Sequence, residues 1–427
     1  MGIRDVFADT RPLRNPAYRR LWTANIFTQL GAQLTVVAVP THIYSLTGSS
    51  AYVGLTGLFG LVPLIVFGLY GGSIADAFDK RTVLIVTTLG MTLSAAGMWA
   101  MTLTGAVNVW WLLTLFALQQ AFFAVNQPTR TAVIRRLLPL DQLAAGSSLN
   151  MMLMQAGAIV GPLIAGALIP LTGYAWLYFI DLVCLVPTLG AVLALTAMAP
   201  TGTTVERAGL RSVISGLRYL GGHPVLLVAM LLDLLAMGFG MPRALYPEMA
   251  EVDFGGSPLM LSALYSSLAV GAVLGGLFSG WITREVRQGK AVTICIVVWG
   301  LAVTVAGVAV MASPGAVTAW AVLVIVMLVV GGAADMFSAS LRNAITQQST
   351  TDEMQGRVQG AYFVIVAGGP RIADVLHGWA AGWWGAGLTT AVGGILAVVS
   401  TVVCVALVPK FWRYRRPAPD VGAGLVS

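Results

Sequence analysis

The sequence predicts an all-α integral membrane protein whose twelve transmembrane helices form two pseudo-symmetric six-helix bundles. Three observations predict it. Residues 21–75 run 55 positions without one Asp, Glu, Lys or Arg. The chain is 57% hydrophobic and only 10% charged, with a mean hydropathy of +0.84. Landmark residues also recur at an offset near half the 427-residue length. One span takes about 20 apolar residues, so the first run holds two helices and a turn. Such a composition excludes a water-soluble domain.

The first hairpin turns at Thr47-Gly48-Ser49-Ser50. Further charge-poor runs follow at 82–129, 142–206 (broken by Asp181), 219–283, 291–341 (broken by Asp335) and 358–408. Each fits a helical hairpin, giving six hairpins and both termini on one face. Lys and Arg concentrate in cytoplasmic loops. With both termini cytoplasmic, 22 of the 24 Lys and Arg residues lie on that side, the exceptions being Arg243 and Arg371. Trp379, Trp383 and Trp384 then fall at the outer interface, with Trp110 and Trp111 at the same level. Five arginines precede the first span without an apolar leader, so that span is expected to act as its own insertion signal.

The widest polar break divides the chain into an N-terminal bundle (1–198), a cytoplasmic linker (199–218), and a C-terminal bundle with a basic tail (219–427). Leu210, Val213, Ile214 and Leu217, with Arg211 and Arg218 opposite, predict a short helix along the membrane surface in the linker. The halves read as a parallel repeat. Pro16 and Pro224 are 208 apart, Pro40 and Pro247 207, Gly72 and Gly280 208, Gly161-Pro162 and Gly369-Pro370 208, and Arg130 and Arg342 212.

Helix 2 leads into Gly72-Ser73-Ile74-Ala75-Asp76-Ala77-Phe78-Asp79-Lys80-Arg81. This segment resembles the loop 2-3 motif of the major facilitator superfamily, G-x-L-A-D-R-x-G-R-K/R, with Ala77 and Asp79 as departures. The resemblance implies an inner gate in which Asp76 meets the N-terminus of helix 11 and Arg130, a charge–dipole contact worth about 0.3–2 kcal/mol. Gly72, Lys80, Arg81, Asp335 and Arg342 are assigned to the same gate. In the second half Gly280 is kept, but Arg284 stands in place of Asp76. Helix 5 carries Gly157, Gly161-Pro162 and Gly166, a stripe of small residues that admits a neighbouring helix and resembles the antiporter motif of the superfamily's exporters. Gly238-Phe-Gly-Met-Pro-Arg243, Arg342-Asn343 with Asp352-Glu353-Met-Gln-Gly-Arg357, Gly221-Gly222-His223-Pro224 and Leu46-Thr47-Gly48-Ser49 resemble the enterobactin exporter and drug–proton antiporter branch. That likeness implies efflux of siderophores or drug-like compounds across a bacterial inner membrane, with multidrug resistance as an associated property.

Five ionisable groups stand inside the spans, each costing about 2.5 kcal/mol or more unless a partner or function retains it. They are Asp181, Asp233, Asp335, Arg371 and Asp374. Arg371 and Asp374, at i and i+3, can neutralise one another or clamp a polar substrate. Asp233, about mid-membrane with no cation near it in sequence, is the leading candidate for proton carrier, and Asp374 is the other. Asp335 and Asp181 are read as structural or gating groups. Gln33, Gln119, Gln120, Asn150 and Gln155 are expected to line a central cavity with these charges.

The reading is a secondary exporter, a proton-coupled antiporter working by alternating access. Its expected partners are a small-molecule substrate, protons and the lipid bilayer, and it is expected to act as a monomer without cofactor or metal. An importer or lipid transporter of the same fold, and a non-transporting sensor or scaffold, stay open as alternatives. Dispersed basic residues exclude nucleic-acid binding. Cys184, Cys295 and Cys404 sit in apolar runs with no metal or disulfide spacing. His42, His223 and His377 converge on no catalytic group, and Gly289-Lys290 lacks the rest of a phosphate-binding loop, so neither an enzyme nor an ATP-driven pump is expected.

Overall fold

The computed structural model describes residues 9–198, 218–277, 285–350 and 352–416. The linker at 199–217, Gly280 and Arg284 lie outside the described residues, as do the side chains of Gly72, Asp76 and the 352–357 segment.

Local chemistry sets the helix ends. α1 (Pro16–Thr47) starts at Asn15, whose side chain accepts from the N–H groups of Ala17 and Tyr18, and it closes on Gly48 at φ +61°. α2 (Ser50–Ala77) follows at once, so the turn lies where the sequence places it. α3 (Lys80–Leu103) and α4 (Val109–Leu137) start on caps from Asp79 and Asn108. α5 (Leu143–Thr172) passes to α6 (Tyr174–Leu193) through Gly173 at φ +74°. α7 (Pro224–Gly240) opens on a proline at the first helical position and is followed by short helical turns over 243–253. The chain continues through α8 (Pro258–Leu277), α9 (Gln288–Met311) and α10 (Ala319–Gln348). The run Asp352–Leu407 breaks at Gly385 (φ 74°, ψ 167°) into two arms, α11 (352–384) and α12 (386–407).

Ten helical stretches among the described residues are long and apolar enough to cross a membrane. α1 has the length, but it carries Arg19, Arg20, Asn25, Gln29 and Gln33 and is not among them, while 364–407 counts as one stretch despite the break at Gly385. Counting α1 and dividing that stretch at Gly385 gives twelve long helices among the described residues.

Hydrogen bonds between helix ends define one basic face. Asn15 Nδ2 donates to Leu137 O at 2.7 Å, Arg81 Nη2 to Leu193 O at 2.7 Å, and Arg416 N to Val286 O at 2.9 Å. α1, α3 and α9 therefore start on the face where α4, α6 and α12 end. Within the first half α1 packs on α5 and α6, α3 on α4 and α6, and α2 on α4; within the second, α9 packs on α10 and the Asp352–Leu407 run, and α8 on α10. The halves meet along two seams, α2 against α11 and α5 against α8. The half-chain offset exchanges these seams with each other.

Asp79 departs from the loop motif because it does structural work. Its Oδ2 accepts from Thr82 N at 2.8 Å, and its Oδ1 from Met198 N at 2.5 Å, tying the α3 cap to the chain leaving α6. Burial opposes its ionisation, but these N–H donors, the Thr82 hydroxyl and the Arg81 charge together hold the carboxyl below the usual carboxylate range. A carboxyl with a lowered folded-state value stabilises the fold above its unfolded value, and that stability is lost as pH falls through the folded value. Asp79→Ala is expected to cost about 1 kcal/mol at neutral pH, and the cost should shrink under acid; thermal unfolding of both proteins across pH checks it.

Candidate functional site

The two seams rest on glycine. A Cβ at Gly57 would fall 2.3 Å from Arg371 O, and one at Gly378 would fall 2.4 Å from Ser50 O, so α2 and α11 touch backbone to backbone. The α5 stripe serves two neighbours: Gly157 and Gly161 face Gln29 and Gln33 of α1, with Pro162 buried beside them, while Gly166 faces Ser262 and Pro258 of α8. Ser266 Oγ adds a bond of 3.1 Å to Ile159 O across the second seam. At the face opposite the basic one, Glu248 accepts from the Ser50 hydroxyl and, at 3.2 Å, from Ala386 N. One carboxylate thus sits at the N-termini of α2 and α12, where helix dipoles favour negative charge. Sequence reasoning missed Glu248, because neither helix end it joins is near it in the chain.

Between the seams lies a cavity of about 220 Å³ whose walls come from both halves. Two other hollows, of about 390 and 440 Å³, are larger, but each belongs to a single half and cannot be exposed alternately by motion of one half against the other. The first half contributes Gln33, Gln119, Gln120 and Asp181 to the shared cavity, with Phe116, Phe123 and Met154 as apolar wall; the second contributes Arg243, Arg371 and Asp374. Asn150 and Gln155, expected in this lining, are not part of it: Met154 of the same helix is, so the rotation of α5 and not depth along it turns these two polar side chains away.

The charged groups pair differently from the sequence expectation. Arg371 and Asp374 do not neutralise each other. Asp374 is held by Arg243, from the turn after α7, while Arg371 crosses to the first half and donates from Nη2 to Gln120 Oε1 at 2.9 Å. An i,i+3 spacing allows a contact but does not enforce one when another guanidinium reaches the carboxylate. His377, one turn further on, places its ring nitrogens 2.9 and 2.7 Å from the carbonyl oxygens of Met241 and Phe239, joining α11 to the end of α7.

Asp233 is not without a cation. Arg342, only 1% exposed, donates to it and to Ser338, and lies 3.5 Å from Asp335. The partner is 109 residues away, on α10. Asp233, Asp335 and Arg342 thus form one cluster inside the second half, and Asp233 is absent from the cavity lining. Arg130 donates to Asn25 of α1, and Arg81 to the end of α6. Lys80 is buried at the start of α3. The gate assigned to these residues with Gly72 and Asp76 depends on side chains outside the described residues.

A bundle of apolar helices in two halves, with a polar cavity lined by both, has the architecture of a membrane transporter. The family described as transmembrane secretion effector (MFS_3) matches residues 8–414, and the chain belongs to that family of the major facilitator superfamily. The enterobactin exporter EntS of Citrobacter koseri is 25% identical over 407 residues, 95% of each chain. EntS of Escherichia coli O1:K1 is 26% identical over 412 residues, 96% of each. Among solved structures, a POT family transporter in complex with 5-aminolevulinic acid superposes with a TM-score of 0.76 at 11% identity, covering 93% of this chain and 97% of its own. The nucleoside transporter NupG superposes at 0.75 and 11%, covering 92% and 98%. At such identity these structures speak for the fold. The protein, like its family and relatives, is a multi-pass membrane transporter of the major facilitator type and not an enzyme.

The Arg243–Asp374 pair should behave as a coupled unit. A cycle of Arg243→Gln, Asp374→Asn and the double variant is expected to give a coupling energy of about 0.5–3 kcal/mol in thermal unfolding, the double variant being more stable than the sum of the single losses predicts. Glu248→Gln is expected to loosen the face it closes: a cysteine placed at Thr56, in the cavity wall, should react faster with an impermeant thiol reagent added from that face.

Proposed function

We propose that this chain is a secondary exporter that exchanges protons for a siderophore or amphipathic drug-like compound by alternating access. The basic face is cytoplasmic, both termini lie on it, and the membrane is the bacterial inner membrane. The observation that carries the reading is the cavity shared by two halves that touch along glycine seams and are pinned by Glu248 at the outer face. Rocking the halves about those seams exposes one site to either side in turn. The enterobactin exporters matched over almost the full chain support export and a siderophore as cargo. Aromatic and methionine side chains in the wall suit an amphipathic ligand, and Arg371 and the glutamines suit its polar groups.

The driving force is sufficient. A proton entering through 100 mV releases about 2.3 kcal/mol, and each pH unit adds about 1.4, together enough for a gradient of several hundredfold. At about 220 Å³ the cavity is below the usual range of roughly 300–1,000 Å³ for drug-sized ligands, so it must widen as substrate enters. The chain acts as a monomer, since each half already supplies the other's partner.

Deletion of the gene under iron limitation is expected to lower the secreted siderophore and raise its cellular pool, with both restored by the wild-type chain. In vesicles, enterobactin or ethidium flux should rise with an imposed pH gradient. Unchanged secretion and gradient-independent flux would remove the proposal.

A further inference from the structure

Among the described residues four aspartates stand in the long helices away from their ends, and three of them face a guanidinium: Asp233 and Asp335 share Arg342, and Asp374 is held by Arg243. Among the described residues Asp181 faces none. It is 1% exposed on α6, in the first half's wall of the shared cavity. Its Oδ2 accepts from Thr35 Oγ1 at 2.6 Å and from Gln119 Nε2 at 3.0 Å, both neutral donors. On the other side α1 presses close, since a Cβ at Gly31 would fall 2.4 Å from Asp181 Oδ1. A buried carboxylate with no cation is costly, and a bound proton removes that cost. The paired aspartates have no such need.

We propose that Asp181 is the site at which the exchanged proton binds. The inference rests on the proton-coupled reading above and supplies its proton site. The surroundings are consistent on every side. α6 itself adds Tyr174, Tyr178 and Cys184. α1 carries Tyr18, Arg19 and Arg20 toward the basic face; its His42 lies seven residues beyond Thr35, about 10 Å along the axis, and is engaged by Tyr178. α3 holds only Lys80 and Arg81, at its basic end, and α5 has no titratable residue. On α4, Arg130, Arg135 and Arg136 lie toward the basic face, and Arg130 is taken by Asn25. Across the cavity, Arg243 is committed to Asp374, and Arg371 to Gln120.

The position also explains coupling. Gln119 and Gln120 are neighbours on α4; the first donates to Asp181, and the second accepts from Arg371 of the other half. A change of charge on Asp181 acts one residue from a bond that joins the halves.

The test uses the full-length protein in proteoliposomes, with enterobactin and ethidium as probes and flux measured with and without an imposed pH gradient. Wild-type flux should rise with the gradient; if neither probe responds, the proton-coupled reading falls and this proposal with it. In Asp181→Asn the ratio of flux with gradient to flux without should fall to unity, while Asp181→Glu keeps a gradient response. A gradient response in folded D181N equal to wild type overturns the assignment and leaves the proton-coupled reading standing. Should D181N fail to fold, Thr35→Val and Gln119→Leu carry the test. Each removes a donor to the ionised carboxyl, so the pH midpoint of gradient-driven flux should move upward by about one pH unit. A midpoint unmoved in both variants overturns the proposal.

Discussion

Backbone-to-backbone contact along two glycine seams is the constraint on which the rest of this molecule depends. In a bilayer there is little hydrophobic drive to press helices together, so close approach must come from small residues and shape. Gly54, Gly57 and Gly378 let α2 and α11 touch, and Gly166 does the same for α5 against α8. Because these are the helix pairs that the half-chain offset exchanges, the interface has two equivalent lines of contact with a cavity between them. A larger side chain on either line would push the halves apart and with them Arg371, whose reach to Gln120 passes over Gly60.

On that frame the charges fall into two kinds. The buried Asp233–Arg342 pair fastens α7 to α10 inside one half, with the half-exposed Asp335 of α10 beside the same guanidinium. Arg243, Asp374, Arg371 and Asp181 line the space between halves, where motion can remake their contacts. Glu248 is a third case, a carboxylate placed at two helix N-termini that belong to different halves. Its bond from Ser50 joins the halves and can exist only when that face is closed, while the bond from Ala386 stays within the second half.

Much of the fold was legible in the sequence because hydropathy is local. The charge-free run at 21–75, the turn at Gly48 and the matched prolines all report on residues close in the chain or at one fixed offset. The cavity glutamines Gln33, Gln119 and Gln120 were legible from polarity within apolar helices. Partners were not. Asp233 looked unpaired because Arg342 is 109 residues away, and Arg371 looked like the partner of Asp374 because it is three residues away. Helix rotation decides which polar residue meets the cavity, and rotation depends on neighbours that spacing does not identify; hence Asn150 and Gln155 fell outside it. Asp79, read as a departure from a motif, proved to be a helix cap.

The central claim is that the halves move against each other about these seams, and the most direct measurement is a distance across one of them during transport. Spin labels on Leu171 at the end of α5 and Leu259 at the start of α8, both well exposed, report the edge of the second seam opposite the basic face. Pulsed electron paramagnetic resonance on the full-length protein in lipid should show a short distance that gives way to a longer population when pH or substrate is changed. A single unchanged distribution under every condition, in protein that still transports, would contradict the account.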